Sequence, residues 1–224
     1  MDIASTPTNP EGNPELADAA HAPHAPTVIL REDYRPFGWL VPTVALDFAL
    51  GIETTRVRAT LELTRNPAAE REAAIRLNGD DLKPLSVMVD GAVVTDWRMD
   101  GPDLVVPLAG DKHSLTIETA INPGANTQLM GLYASNGMLC TQCEAEGFRR
   151  ITFFPDRPDV LSVYSVRMAG DKVLFPILLC NGNRTAAGEG ADGTHGARFS
   201  GCGNGNVNAW QAAHAAKHCK DEYG

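Results

Sequence analysis

Two carboxylates and an amide recur at every second position in the segment Gln142-Cys-Glu-Ala-Glu146. If this segment is an extended strand, Gln142, Glu144 and Glu146 project from one face, and Cys143 and Ala145 project from the other. An ionised carboxylate only accepts hydrogen bonds, and its bonds to cations are stronger than bonds between neutral groups. The spacing therefore predicts a small anionic surface, flanked by an amide, that suits an ammonium group.

The same spacing is also typical of a solvent-facing edge strand that binds nothing. In that interpretation Arg149 and Arg150, which follow shortly afterwards, neutralise the two carboxylates. The spacing alone leaves both interpretations open.

A second candidate for chemistry is a pair of histidines near the end of the sequence. His214 and His218 lie four positions apart in an alanine-rich segment, so a helix would present both on one face, with Cys219 next in sequence. However, Ala215 stands where a water-activating glutamate would follow the first histidine, and the only later glutamate is Glu222. We therefore expect a fortuitous helix without a metal.

The pair Cys140-x-x-Cys143 has the spacing of a redox motif or of half a structural zinc site. A structural zinc ion needs further ligands, and no second pair of matching spacing occurs in the sequence. The chain has five cysteines, and an odd number favours free thiols in a reducing compartment. The residues by themselves leave free thiols and a redox or metal module open, with the module as the weaker alternative.

The residue types in the segment from Gln142 to Glu146 carry more information than their spacing. Gln142-Cys-Glu-Ala-Glu146, continued by Gly-Phe-Arg and then by Phe154-Pro-Asp-Arg-Pro-Asp159, resembles the N-terminal domain of the aminopeptidase N-type zinc metallopeptidases. Other blocks resemble the bacterial branch of that family, in the same order: Asp33-Tyr-Arg35, Ile75 to Lys83, Asn122 to Thr127, Gly131-Leu-Tyr133 and Asn181-Gly-Asn183. The resemblance extends from about Val28 to Phe199 and then stops.

The resemblance implies a fold and a role for two residues. The family's N-terminal domain is an antiparallel β-sandwich that leans over a catalytic domain, and the whole enzyme removes N-terminal amino acids from peptides. By position, Glu144 would contact the α-ammonium group of the substrate, and Gln142 would border the pocket for its first side chain. The peptide N-terminus and the catalytic domain are therefore the implied partners.

The family's catalytic motifs are missing from these 224 residues. They are a zinc-binding His-Glu-x-x-His helix, a further glutamate ligand and a Gly-x-Met-Glu-Asn segment that binds the peptide terminus. We therefore expect no catalytic residue and no cofactor in this chain, and zinc in a separate catalytic domain. The loss of the family's features after Phe199 predicts either a truncation or a change of reading frame, and the chain alone should be inactive.

Composition excludes several classes of protein. The chain is 43% hydrophobic and 21% charged, which is ordinary for a globular protein, and its net charge of -9 argues against nucleic acid as a partner. No stretch approaches the roughly 20 apolar residues of a membrane helix. Residues 1–27 lack the basic and apolar regions of a secretory signal, so we expect a disordered leader and a cytoplasmic protein.

Period-two alternation indicates an all-β fold. The segment Arg56 to Thr64 places Val57, Ala59, Leu61 and Leu63 on one face, which is typical of a half-buried strand. Similar alternation occurs at 43–48, 86–89, 104–106, 114–121 and 161–168, with turn signals between the segments. The pattern predicts an antiparallel sandwich or barrel, and the resemblance implies the sandwich.

The last part of the sequence sets the predicted domain boundaries. The apolar run Val173 to Cys180 leads into Asn181-Gly182, a hairpin signal, so we expect the chain to return as a strand carrying Ala197-Arg-Phe199. A Gly/Asn-rich stretch and an alanine-rich helix candidate, 209–220, follow. We predict three segments: a leader at 1–27, a β-sandwich at 28–199, and a non-family tail with a short helix at 200–224.

A protein-interaction function also fits the all-β pattern of the sequence. A free-standing β-sandwich could act as an interaction module through the surface that the family packs against its catalytic domain. An exposed apolar patch on that surface would favour this alternative.

Overall fold

The alternating segments of the sequence form one large sheet and two small ones. The computed structural model describes residues 31–204 and 211–212, and it describes side chains up to residue 201. The strands in this part of the chain are β1 (Trp39–Ala49), β2 (Thr55–Arg65), β3 (Ala74–Leu77), β4 (Pro84–Val89), β5 (Ala92–Val93), β6 (Arg98–Asp100), β7 (Asp103–Pro107), β8 (Lys112–Ile121), β9 (Gly131–Ser135), β10 (Met138–Gln142), β11 (Leu161–Asp171), β12 (Asn183–Glu189), β13 (Thr194–Asn204) and β14 (Gln211–Ala212).

The large sheet has eight strands in the order β12-β13-β11-β1-β2-β8-β4-β5, and the small sheets are β3-β7-β6 and β14-β10-β9. The predicted antiparallel arrangement holds for every described pair but one. β1 and β11 run parallel, from Thr43 opposite Val163 to Ala49 opposite Ala169. A parallel pair needs a long connection rather than a hairpin, and here the whole of 50–160 lies between the two strands.

Strand β2 shows how the alternation becomes a buried face. Val57, Ala59, Leu61 and Leu63 are between 0 and 2% exposed, as predicted from their spacing. Arg58 lies on the opposite face and is exposed. The other long strands of the large sheet alternate in the same way, so one face of this sheet is apolar and the other faces solvent.

The apolar face of the large sheet shares one core with both small sheets. Ile75 of β3, Leu104 of β7 and Leu139 of β10 belong to the same buried cluster as the inward side chains of the large sheet. Its largest fully buried members are Trp39, Phe148, Phe153, Phe154 and Phe175. This two-layer arrangement confirms the predicted β-sandwich.

The region after β11 differs from the prediction. Val173 and Leu174 are 88% and 56% exposed, while Phe175 is 1% exposed, so the apolar run at 173–180 is a turn and an irregular segment rather than a strand. The hairpin that follows joins β12 to β13 and turns at 190–193, where the Gly190 amide donates to the Thr194 carbonyl at 2.8 Å. The predicted hairpin at Asn181-Gly182 is therefore wrong, whereas the predicted strand at 197–199 is confirmed within β13.

The two ends of the chain are only partly described. The described residues before Arg35 belong to a separate unit, in which Arg31–Asp33 form a turn of 3₁₀ helix. The predicted leader, 1–27, lies outside the described residues. β13 continues beyond Phe199 to Asn204.

Most of the predicted helix at 209–220 also lies outside the described residues. Gln211–Ala212 are described, and they form β14, which pairs with Leu139 and Cys140 of β10. In the described part of the chain, no helix is long and apolar enough to cross a lipid bilayer.

The described cysteines are free thiols. Cys143 is completely buried in the core, whereas Cys140 and Cys180 are partly exposed. Burial, together with the nearby Asp156 carboxylate, raises the pKa of Cys143 to about 12, and burial also raises the pKa of Cys140. Redox chemistry and metal binding both need the thiolate, so burial disfavours both functions for this pair.

The core position of Leu61 gives a first prediction. Replacing Leu61, which is completely buried, with alanine should lower the free energy of unfolding by roughly 2–5 kcal/mol, because apolar contacts are lost and a cavity remains. Urea denaturation followed by tryptophan fluorescence measures this change. Leu85 is 53% exposed on the same sheet, so Leu85→Ala is the control and should cost less than about 0.5 kcal/mol. Equal losses for the two variants would contradict the described faces.

The buried thiol gives a second prediction. Treated with iodoacetamide at pH 8, the native chain should leave Cys143 unmodified, because its pKa of about 12 and its burial keep the thiol protonated and inaccessible. In urea the same cysteine should react, and peptide mass spectrometry distinguishes the two states. Rapid native labelling of Cys143, or a disulfide with Cys140, would restore the redox interpretation.

Candidate amine-binding site

Gln142 marks the point where the predicted strand ends. It is the last residue of β10 and pairs with Gly131 of β9. Beyond it the chain turns at 144–147, and the Gly147 amide donates to the Cys143 carbonyl at 2.9 Å. The prediction that Gln142, Glu144 and Glu146 share one face of a single strand is therefore wrong.

Two glycines allow this turn to fold against the β9–β10 hairpin. A Cβ atom at Gly147 would lie 2.6 Å from the Gln142 carbonyl oxygen and 2.7 Å from the Cys143 Cα, both closer than real Cβ contacts. Gly131 has a φ of +73°, and a Cβ there would lie 2.7 Å from the Arg150 Cβ. A larger residue at Gly147 would push the turn away from β10, and one at Gly131 would push the backbone around Arg150 away from β9.

The turn nevertheless keeps Gln142 and Glu144 together. The Gln142 Nε2 donates a long hydrogen bond of 3.4 Å to the Glu144 carbonyl oxygen, and the peptide bond from Glu144 to Ala145 is cis. Gln142 is half-buried, whereas Glu144 and Ala145 are exposed. The structure thus places the Gln142 amide beside the backbone of the exposed residue Glu144, just past the end of β10.

Glu146 does not belong to that pair. Its Oε2 lies 3.1 Å from the Arg149 Nη2, three residues further along the chain. The neutralising role considered for Arg149 therefore applies to Glu146. Arg150 instead contacts the Asp80 carboxylate at 2.6 Å, on the loop after β3.

Arg149 also connects the turn to a buried carboxylate, which the sequence analysis did not identify. Asp156 is 1% exposed, and its Oδ2 accepts hydrogen bonds from the Arg149 Nε at 3.1 Å and from the Arg149 backbone amide at 3.2 Å. Burial raises the pKa of Asp156, and the Arg149 guanidinium opposes that shift. The signal in the sequence was the aspartate within Phe154-Pro-Asp-Arg-Pro-Asp159, which spacing alone does not distinguish from a surface acid.

Aromatic packing fixes the rest of the segment. Phe148 is 1% exposed and meets Phe154 and Tyr164 edge-to-face, with ring centroids 5.0 and 6.4 Å apart. The Thr119 hydroxyl of β8 donates to the Ile151 carbonyl at 3.1 Å inside the core. The turn that carries Glu144 therefore stands on a segment that is itself part of the core.

The groups on this turn are of a kind that can bind a cation. A carboxylate such as that of Glu144 can accept hydrogen bonds from an ammonium group. No group of three or more His, Cys, Asp or Glu residues that could hold a metal ion occurs among the described residues, which therefore do not fit a zinc centre. His214, His218 and Cys219 lie outside the described residues.

Sequence comparison relates the chain to one domain of known peptidases. The sequence profile described as the peptidase M1 N-terminal domain matches residues 44–202. Aminopeptidase N of Caulobacter vibrioides is 45% identical over 177 residues, and aminopeptidase N of Escherichia coli is 42% identical over 170 residues. These matches cover 78% and 76% of this chain but only 20% and 19% of the two relatives. The chain thus spans about a fifth of their length.

Solved structures share the fold at lower identity. Aminopeptidase A of Legionella pneumophila, crystallised in complex with aspartic acid, has a TM-score of 0.76 and 22% identity, over 82% of this chain and 22% of that protein. An M1 zinc metallopeptidase variant of Deinococcus radiodurans, bound to a Tyr-Ser-Ala substrate, has a TM-score of 0.61 and 18% identity, over 73% of this chain and 39% of that protein.

The profile match covers most of the β-sandwich, from β1 into β13, and includes the turn that carries Gln142 and Glu144. The identity to the two bacterial relatives exceeds what a shared fold alone would require. By sequence and by fold, this chain belongs to the peptidase M1 N-terminal domain family.

Proposed function

We propose that this chain supplies the substrate-amine site of an M1 aminopeptidase. Glu144 accepts the hydrogen bonds of the α-ammonium group at the peptide N-terminus, and Gln142 borders the pocket for the first side chain. The observation that carries the proposal is the pairing of the two residues at the end of β10, where the Gln142 Nε2 contacts the backbone carbonyl of the exposed residue Glu144. The names of the bacterial relatives, aminopeptidase N, support the same activity.

The rigidity of the turn supports this role. A carboxylate contributes most to recognition when its position is fixed before the ligand arrives, because little conformational entropy is then lost on binding. Gly147 holds the turn on β10, and the Arg149–Asp156 pair ties the next residues to the core. Glu144 is thereby presented on a turn that is anchored at both ends.

Hydrolysis needs a second domain. An ion pair exposed to water contributes about 0–1 kcal/mol, so Glu144 alone should bind an amine weakly. A catalytic domain packed over the turn would exclude water and strengthen the same bond. The proposed partners are therefore the peptide substrate and a zinc-containing catalytic domain, in which zinc would polarise the scissile carbonyl and activate water.

The proposed location is the cytoplasm. The three described cysteines are free, and five cysteines in all cannot pair completely, which fits a reducing compartment.

The proposal predicts that the purified 224-residue chain does not cleave aminoacyl-anilide substrates and does not retain stoichiometric zinc after dialysis. The reason is that the sequence has no His-Glu-x-x-His motif and the described residues hold no metal-ligand cluster. Chromogenic assays and elemental analysis make the measurement. Chelator-sensitive turnover that copurifies with the chain would contradict the proposal that hydrolysis needs a separate catalytic domain. Zinc bound one-to-one without turnover would instead direct attention to Cys140, Cys143 or the two histidines at 214 and 218.

A second prediction tests Glu144 in an active enzyme. Residues 28–204 would replace the corresponding part of the Caulobacter vibrioides relative, and the substitution Glu144→Gln would then keep the shape but remove the charge. Loss of a charge-assisted hydrogen bond of about 1.5–3 kcal/mol should lower kcat/KM by roughly ten- to a hundredfold. Steady-state kinetics on aminoacyl-anilides gives the value.

The matched control is Glu146→Gln, since Glu146 belongs to the same turn but pairs with Arg149. This substitution should have a smaller effect on kcat/KM. Substrates with a blocked amine should remove most of the difference between the parent chimera and Glu144→Gln, because the recognised group is gone. If Glu144→Gln leaves turnover of free-amine substrates unchanged in an active chimera, Glu144 does not bind the ammonium group.

A further inference from the structure

A row of five charged side chains crosses the solvent face of the large sheet. Cross-strand pairing sets Arg198 of β13 opposite Arg167 of β11 and Arg167 opposite Asp47 of β1. It continues with Asp47 opposite Arg58 of β2 and Arg58 opposite Glu118 of β8. We call these five residues the charge row.

The charge row is balanced at one end only. The Arg167 Nη1 contacts both oxygens of Asp47, at 2.8 and 3.0 Å, and the Arg58 Nε donates to the Glu118 Oε1 at 2.7 Å. Arg198 is exposed, faces another arginine, and has no ion pair with any described residue. Like charges directly opposite each other destabilise an antiparallel pair, so an added carboxylate at this end would be favourable.

Small side chains flank this end of the row on both sides. Ala45, Ser165 and Ser200 form the neighbouring rung in one direction, and Ala49, Ala169 and Gly196 form the rung in the other. Two open depressions result, with volumes of about 360 and 210 Å³, and the arginines at 167 and 198 line both of them. The two guanidinium groups are therefore reachable from above the sheet.

We propose that the charge row is a docking surface for an extended acidic segment of a partner protein. Arg198 and Arg167 would share one carboxylate of that segment, and Arg58 would take a second. This role is independent of the amine site, because the row lies on the solvent face of the large sheet and Glu144 lies beyond the edge of a small one.

The energy of an exposed ion pair and the spacing of the arginines favour a segment with several acids over a single small anion. An exposed ion pair contributes about 0–1 kcal/mol, so one free carboxylate would not stay bound. Arg167 and Arg58 lie two strands apart, about 9–10 Å. This matches carboxylates three residues apart in a segment of polyproline II conformation, in which such residues share a face at roughly 3.1 Å per residue. The partner motif is therefore Asp-x-x-Asp with small residues between the acids.

The charge balance disfavours a uniform polyanion such as nucleic acid. Asp47 and Glu118 stand within the row, and the whole chain carries a net charge of -9. Both would repel a ligand of continuous negative charge. A polypeptide can instead place acids over the arginines and neutral residues over Asp47.

The test is a nuclear magnetic resonance titration of the full ¹⁵N-labelled chain at low ionic strength. The probe is a blocked peptide, Gly-Asp-Ser-Ser-Asp-Gly, and its matched control carries Asn in place of both Asp residues. The acidic peptide should shift the backbone amides around Ala45, Ser165, Arg167, Arg198 and Ser200, and the Asn peptide should not. Physiological salt should weaken the binding, because the contacts are exposed charges.

Two variants decide whether the row is the site. Arg198→Gln should lower the affinity for the acidic peptide by roughly threefold or more, which is the scale of one exposed ion pair. Arg56→Gln is the control, since Arg56 is also exposed on this face but lies one rung away, on β2. Absent shifts, equal shifts with the Asn peptide, or equal effects of the two variants would each overturn the proposal.

Discussion

The structure depends on the burial of one face of the eight-stranded sheet. Alternation along the long strands sends every second side chain to the same side, so the sheet has an apolar face that must be covered. Two three-stranded sheets provide part of the cover, and the segment that contains Phe148, Phe153 and Phe154 adds to it. The turn that carries Glu144 is therefore attached to residues of the core.

This attachment explains why the turn is well defined although Glu144 is exposed. Phe148 packs in the core directly after the turn, and Arg149 then pairs with the buried Asp156. A buried ion pair is weak evidence for stability, because both charges lose their hydration. Its effect here is geometric, since the guanidinium group has one partner in the core and another, Glu146, on the turn.

The two faces of the same strands meet different physical demands. On the inner face, packing requires apolar side chains of fitting shape, and Leu61 and Phe148 are examples. On the outer face, solvent tolerates charge, and cross-strand register decides which charges meet. Register places Asp47 between Arg167 and Arg58 and leaves Arg198 beside a like charge. The arrangement of the charge row therefore follows from pairing, not from the composition of any one strand.

The sequence by itself determined the long strands β1, β2, β8 and β11, their buried faces and the family. Val57, Ala59, Leu61 and Leu63 could be assigned to the core because the side-chain period of a strand is two and needs no knowledge of its neighbours. The ordered blocks around Gln142 and Glu144 were sufficient to indicate the M1 aminopeptidases, because several independent matches in order are specific.

Only the tertiary structure decided the parallel pairing of β1 with β11 and the turn after Gln142. It also decided the partners of Arg149 and the position of Arg198 opposite Arg167. Each depends on residues that are distant in sequence or on a close backbone approach, such as that of Gly147 to Gln142. Local alternation continues through Glu146 whether or not the chain turns, so it could not reveal the end of β10. Local alternation also carries no information about the register between strands, and this register determines which charged side chains lie side by side.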